Sequence, residues 1–442
     1  MFSTIAVEKL RVGMYVQLKG GWLSHPFPRS AFRIDSDAQL ATLRSLGLKE
    51  VQWSAEKSDL ADAPPAVPGN AGHAPAAGSA AAEATQATQA TAAAEAAEAN
   101  ATAKAAQEAR RACLLAQRLA VQRCERHYGE AARSWREATA ALVTRPDAAL
   151  QCGQALAQGM LDELLVEGDI AIRLVNSPGG DRAAAHALNV SVMSMLIGRT
   201  LQLPEVDLLD LGVGALMHDI GKLDLPDRLR HPDDHFTAAE TAGYRDHVAR
   251  GVAQGRRLGL TPGALAVIAQ HHEHADGSGF PRKLTADTMT VPARIVAIVN
   301  RYDNLCNPPA RVHPLTPHEA VSMLFAQGRT RFDAGVLSAF IRMMGVYPAG
   351  SLVQLTDDRY AMVMGVNSSR PLKPRVLVHD PKVPRSEALL LNLEEAPGVG
   401  IRRSLVAAKL PPAALEYLDA RPRVAYYFEA LTASVPQQAE VA

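Results

Sequence analysis

Apolar positions along this chain change their period twice. Near the N-terminus, VGMYVQL alternates apolar and polar residues, as a half-buried strand does. Trp22-Leu23-Ser24-His25-Pro26-Phe27-Pro28 predicts a rigid, aromatic-bearing turn. Residues 36–46 have helical spacing with Ser36 as N-cap, and Val51-Gln52-Trp53 returns as a short strand. From Leu150 to Met344 the apolar period is helical throughout. Breaks at Pro178-Gly179-Gly180, Leu203-Pro204 and Thr261-Pro262 precede successive helices. After Tyr347 the period is two again in SLVQLT, YAMVMGV and RVLVHD, separated by Asp357-Asp358 and Asn367-Ser368-Ser369.

These patterns predict a mainly α protein. It combines a small α+β domain over residues 1–57, an all-α domain over 165–346 and a β-rich extension over 347–430. The extension is expected to close with helical and extended segments, and residues 431–442 to form a frayed tail. Residues 58–103 are rich in Ala, Pro, Gly, Gln and Thr and nearly devoid of large apolar side chains, the composition of a flexible linker. The Ala- and Glu-rich end of that stretch has helical composition. It leads into a helical region over 104–164, in which Leu114, Leu115, Leu119, Val121 and Tyr128 are loosely spaced for a helix, a lead-in stalk or a homodimer contact.

Composition narrows the function. Lys plus Arg total 46 and Asp plus Glu total 46, so nothing predicts a general grip on a nucleic-acid polymer or an anionic membrane. The cysteines Cys113, Cys124, Cys152 and Cys306 lack CxxC spacing and are expected to stay thiols in a reducing compartment. The N-terminus lacks a signal-peptide core, and no apolar run reaches the roughly 18 residues needed to span a bilayer. A soluble, cytoplasmic protein is the expectation.

The chemistry concentrates between His186 and Asp303. The series runs His186, His218-Asp219-Ile220-Gly221-Lys222, His247, His271-His272-Glu273 and Asp276-Gly277-Ser278-Gly279-Phe280-Pro281. Imidazole is the commonest neutral metal ligand, and a carboxylate can bridge two cations. Five imidazoles and one carboxylate exceed what one tetrahedral ion takes, so the site is expected to hold more than one metal. Such a pair activates water and clamps a phosphodiester. Lys222 is placed to balance charge on the phosphate oxygens. Glu273 or Asp276 is expected to hold ligand protons from behind the metals. The Gly-rich loop is expected to bring backbone to the substrate, with Phe280 stacking on a base or sugar. His231, His235, His274 and His313 stand in polar, Pro-rich surroundings and are expected in loops.

HDIGK, the spaced His247, HHE and DGSGFP followed by ARIVAIV resemble the HD-GYP family of bacterial cyclic di-GMP phosphodiesterases, within the HD phosphohydrolase superfamily. The similarity covers roughly residues 165–345. VEKLRVGMYV and WLSHPF resemble a small N-terminal domain of unknown function, and GSLVQLTDDRYAMVMGVN a C-terminal extension found in such proteins. The resemblance implies an iron or manganese site and hydrolysis of cyclic di-GMP to pGpG or GMP. By position, His186, His218, Asp219, His247, His271 and His272 resemble the metal ligands, Asp219 being the bridging carboxylate. Lys222 resembles the phosphate-contacting lysine, and Gly279, Phe280 and Pro281 stand where the family has Gly-Tyr-Pro.

Three departures qualify the likeness. Arg182 stands where trinuclear members carry a glutamate, which implies two divalent ions. Asn300 replaces the last metal aspartate, offering a neutral carbonyl oxygen. Asp303 lies one turn further on, suited to a supporting position. Cys306-Asn307-Pro308 replaces the usual Arg-Pro-Tyr, with Arg311 as the substitute phosphate contact. The alternative function is a catalytically degenerate sensor of cyclic di-GMP, or an interaction module for diguanylate cyclases.

Overall fold

The computed structural model describes residues 3–17, 31–34, 36, 39–40, 43–44, 50–54, 57–58, 81–166, 169–176, 181–232, 235–308, 312–367, 369–420 and 423–431. The expected turn at residues 22–28, the break at 178–180, Arg311 and residues 432–442 of the tail lie outside them, as do residues 59–80 of the expected linker. Two compact units divide at residue 116.

The first unit holds a four-stranded antiparallel sheet of β1 (Ser3–Ala6), β2 (Tyr15–Gln17), β3 (Ala31–Arg33) and β4 (Glu50–Ser54), in the order β1-β4-β2-β3. Val16 pairs with Phe32 on one side and Trp53 on the other. It buries its side chain with Leu10, Ile34, Leu43 and Val51. Gln39, Leu40, Leu43 and Arg44 are helical, and Gln39 N–H reaches Ser36 Oγ at 3.3 Å, as an N-cap requires. A 60-residue helix, α1 (Ala81–Ala140), begins inside the stretch expected as linker, where alanine supplies the propensity.

In the second unit, α2 (Pro146–Leu164) leads into β5 (Asp169–Leu174). That strand corrects the expectation of helix throughout Leu150–Met344. Its six residues, DIAIRL, are too few for their apolar spacing to distinguish the two periods, and tertiary pairing decides. It lies between β7 (Tyr360–Asn367) and β11 (Tyr426–Leu431) in an antiparallel sheet that also holds β6 (Leu352–Leu355), β8 (Arg375–Val378), β9 (Leu390–Asn392) and β10 (Ile401–Leu405). A short helix, Pro412–Leu418, sits among the closing segments.

The helices that carry the His-rich series follow β5. They are α3 (Arg182–Thr200), α4 (Glu205–Met217), α5 (Asp227–Arg230), α6 (Ala238–Arg245), α7 (His247–Leu258), α8 (Pro262–Gln270), α9 (Val291–Cys306), α10 (Pro317–Arg331) and α11 (Ala334–Met344). Their starts follow from side-chain caps. Asp181 accepts from Ala183 and Ala184 N–H, Thr261 from Ala264, Thr290 from Ala293 and Asp333 from Val336. Helix α3 is buried on every side from Ala187 to Gly198 and packs against α4 and α9, so it is the axis of the unit. Among the described residues, no helix is long and apolar enough to cross a membrane.

Candidate metal centre

Helix ends aim the functional side chains. Helix α4 stops at Met217, His218 keeps helical angles, and Asp219 turns to φ −102°, ψ 6°. That break in the helix lets two adjacent side chains face one point, which a continuing helix forbids by about 100° per residue. His247 opens α7, His271 caps α8 with His272 following, and His186 projects from the first turns of α3. Gly221 makes the approach possible, because a Cβ there would run into His247 O and Gly251 N.

The two oxygens of Asp219 divide the imidazoles into two sets. Oδ2 lies 3.4 Å from His218 Nε2 and 3.7 Å from His186 Nε2. Oδ1 lies 3.5 Å from His247 Nε2 and 3.7 Å from His271 Nε2. His272 joins the second set, so the groups are His186, His218, Asp219 and Asp219, His247, His271, His272, each with ligand atoms within 4.8 Å of one another.

The ring protons are assigned by their partners. His218 Nδ1 faces Ala215 O at 2.7 Å, His247 Nδ1 faces Tyr244 O at 2.6 Å, and His271 Nδ1 faces Ile268 O at 2.8 Å. A carbonyl only accepts, so each Nδ1 carries the proton and each Nε2 is left with a lone pair. Yet His186 Nε2 and His218 Nε2 are 3.1 Å apart, and His247 Nε2 and His271 Nε2 are 3.3 Å apart. Lone pairs facing at such distances do not hydrogen-bond to each other. Asp219 Oδ1 and His272 Nε2 are also buried with no hydrogen-bond partner among the described residues. An electron-poor centre on each side of Asp219 satisfies all of these atoms, so the donor set fits divalent metal ions.

Electrostatics keep the donors ready. Burial, then the neighbouring rings, holds His271 and His272 well below the usual imidazole range; burial likewise lowers His247. Burial would raise the Asp219 carboxyl, but Lys222, His218 and His247 outweigh it and hold the acid well below its ordinary value. Lys222 Nζ is 2.6 Å from Asp219 Oδ2 and 5.4 Å from the Tyr244 ring centre. Burial would lower this ammonium, yet Asp219 and then Tyr244 push it up to about 12.

Several expected residues behave differently. Asn300 is buried on α9, but its Oδ1 accepts Asn304 Nδ2 at 2.7 Å, one turn along, so its carbonyl is engaged within its own helix. Glu273 does not hold ligand protons. Its buried carboxylate accepts Arg282 N–H at 2.6 Å and Leu284 N–H at 2.9 Å, and so staples the following loop. Asp276 accepts Ser278 N–H within that loop. Gly279 is wedged into the backbone, where a Cβ would lie 2.5 Å from Glu273 Cα, His272 O and His274 N. The Phe280 ring stacks on His272 at 4.4 Å and 22°, with the Arg245 guanidinium 4.9 Å from its centre. Pro281 is exposed, while Arg182 donates to Pro308 O.

The sequence suits Asp303 to a supporting position but does not name its partner. That partner is His186 Nδ1, at 2.6 Å. The two residues are separated by 117 positions, so no local spacing could reveal the contact.

The family comparisons agree with this architecture. An HD domain model matches residues 171–336, and a domain of unknown function, DUF3391, matches residues 3–151. Residues 171–336 thus match an HD domain, and the motif series they carry is similar to that of the HD-GYP family. It is 29% identical over 392 residues to the cyclic di-GMP phosphodiesterase PA4108 of Pseudomonas aeruginosa, covering 86% of this chain and 85% of that protein. To the cyclic di-GMP phosphodiesterase PdeB of Borreliella burgdorferi it is 21% identical over 191 residues, 43% of this chain and 50% of the other. It is 29% identical over 151 residues to the 3'3'-cGAMP-specific phosphodiesterase 2 of Vibrio cholerae, 34% of this chain and 29% of that one.

Proposed function

We propose that this chain is a metal-dependent phosphodiesterase that opens cyclic di-GMP to pGpG and carries it on to GMP. The observation that carries the proposal is the split carboxylate of Asp219, with a pair of imidazole lone pairs facing each oxygen. His186, His218 and Asp219 Oδ2 would hold one divalent ion, and His247, His271, His272 and Asp219 Oδ1 a second. Iron or manganese suits such mixed imidazole and carboxylate donors, and the pair would supply Lewis acidity and a water of lowered pKa.

The chain's own groups do the rest. Asp219 keeps its negative charge between the two sets. Lys222 remains protonated at neutral pH and places its ammonium beside the position of the scissile phosphate, where it offsets charge on the non-bridging oxygens. The Gly279-Phe280-Pro281 loop acts through His272, holding that ring by stacking rather than by touching a base.

The test uses the full chain, purified anaerobically and loaded with Fe(II) or Mn(II), and follows cyclic di-GMP, pGpG and GMP by chromatography. Linearisation that disappears in both His218→Ala and Asp219→Ala supports the assignment, and undiminished turnover in those variants overturns it. Offering 3'3'-cGAMP alongside sets the substrate preference.

The engagement of Asn300 with Asn304 favours a second reading, since no carboxylate stands at that position. In it the chain binds cyclic di-GMP as a sensor without cleaving it. Binding by calorimetry together with no product from the metal-loaded chain selects that reading.

A further inference from the structure

His186 differs from the other three imidazoles around Asp219. His218, His247 and His271 each give Nδ1–H to a carbonyl three residues back in the chain, whereas His186 gives its own to a carboxylate. That carboxylate, Asp303, is 1% exposed. Its Oδ2 takes His186 Nδ1 at 2.6 Å, and its Oδ1 takes Asn189 Nδ2 at 2.8 Å and Asn307 Nδ2 at 2.9 Å.

Both asparagines are in turn fixed by the segment that opens β11. Asn307 Oδ1 accepts Val424 N–H at 3.0 Å, and Asn189 Oδ1 accepts Tyr426 N–H at 3.1 Å. Each Nδ2 also donates to Val424 O, at 3.1 Å from Asn189 and 2.9 Å from Asn307. A backbone N–H can only donate, so these contacts remove the usual ambiguity of an amide and force both NH2 groups toward Asp303. The orientation passes along one line. Val424 and Tyr426 set the amides, the amides occupy Asp303 Oδ1, and Oδ2 is left for His186 Nδ1.

We infer that Asn189, Asp303 and Asn307 are positioning residues for His186, and that residues 424–426, although remote in sequence, are a structural part of the metal centre. A carboxylate on Nδ1 fixes the ring and makes Nε2 a stronger donor than a carbonyl does. The ion held by His186, His218 and Asp219 therefore depends on the C-terminal strand, while the one held by His247, His271 and His272 does not. This rests on the proposed metal occupancy but not on the proposed catalysis.

Titration of the full chain with Mn(II), read by electron paramagnetic resonance, tests it in Asp303→Asn and Asn307→Ala. Asp303→Asn keeps the shape but loses the charge, and with its one oxygen claimed by the NH2 groups of Asn189 and Asn307 it turns a donor rather than an acceptor toward His186 Nδ1. The expected result is one ion bound as in the parent and the other weakened about 10- to 100-fold in both variants. Melting temperature is measured with and without Mn(II). A purely structural role would lower the metal-free value and leave both the metal-induced rise and the titration unchanged, and that result overturns the inference. Should Asn307→Ala not fold, Asp303→Asn decides alone, with a parent-like Mn(II) curve counting against positioning. A parent chain that binds Mn(II) but cleaves no cyclic dinucleotide defeats the proposed activity and leaves this inference standing.

Discussion

Phe280 lies against His272 with ring centres 4.4 Å apart and planes 22° from parallel. The aromatic side chain of the loop is thus an internal support for an imidazole whose buried Nε2 has no hydrogen-bond partner among the described residues. Phe280→Ala should weaken Mn(II) binding roughly tenfold by freeing that ring, whereas Phe280→Tyr should match the parent. Isothermal titration calorimetry of the two variants checks this. Equal affinities in the alanine variant and the parent would show that the stack is incidental.

Asp219 faces a pair of Nε2 atoms with each oxygen, so its charge is shared between both sets. Asp219→Asn keeps the volume but removes that charge. The metal content after gel filtration should fall from the parent's value toward none, and cyclic di-GMP turnover should fall with it. Parent-like metal content in the amide variant, measured by elemental analysis, would exclude a bridging role.

Gly221 and Gly279 are placed by close approach of backbone to backbone. Gly221→Ala and Gly279→Ala should each cost about 1–3 kcal/mol of folding stability through overpacking. Denaturant unfolding gives the value. Both should also lose metal, because the displaced segments carry His247 and His272.

The metal-stripped chain should lose stability on acidification. His271 and His272 are held well below their ordinary 6.5 in the folded state, by burial and then by neighbouring imidazoles. Below that value the unfolded chain takes up protons that the folded chain refuses, so unfolding becomes easier as pH falls. Above it, these rings are neutral in both states and contribute no slope. Urea midpoints collected between about pH 7.5 and 5.5 should decline toward the acid end. A midpoint that rises on acidification would contradict the burial of neutral rings.

The histidine series was readable because metal chemistry restricts the residue types and because helix ends announce themselves through Pro, Gly and capping Thr. His218 and Asp219 share one point since α4 stops between them and Met217, a stop legible in the Gly221 that follows. Mainly helical character was legible for the same reason: long apolar periods carry their own signal. What sequence could not provide was pairing across distance. Strand β5 is too short to betray its period, and its partners lie in β7 and β11. Glu273 looked like a proton holder but satisfies two backbone N–H groups of the next loop. Nothing in the sequence singles out Asn189, and only the fold brings Asp303 and Tyr426 to either end of its amide.

Strand β5 precedes every histidine of the metal centre, yet both its neighbours come from the far end of the chain. A fragment trimmed to residues 165–346 would strip this ribbon on two sides at once, leaving rows of bare amide and carbonyl groups beside Ile170 and Ile172. Such an edge recruits other copies into intermolecular sheets. The excised helical piece should therefore precipitate on expression, and useful dissection of this protein must keep residues 117–433 whole.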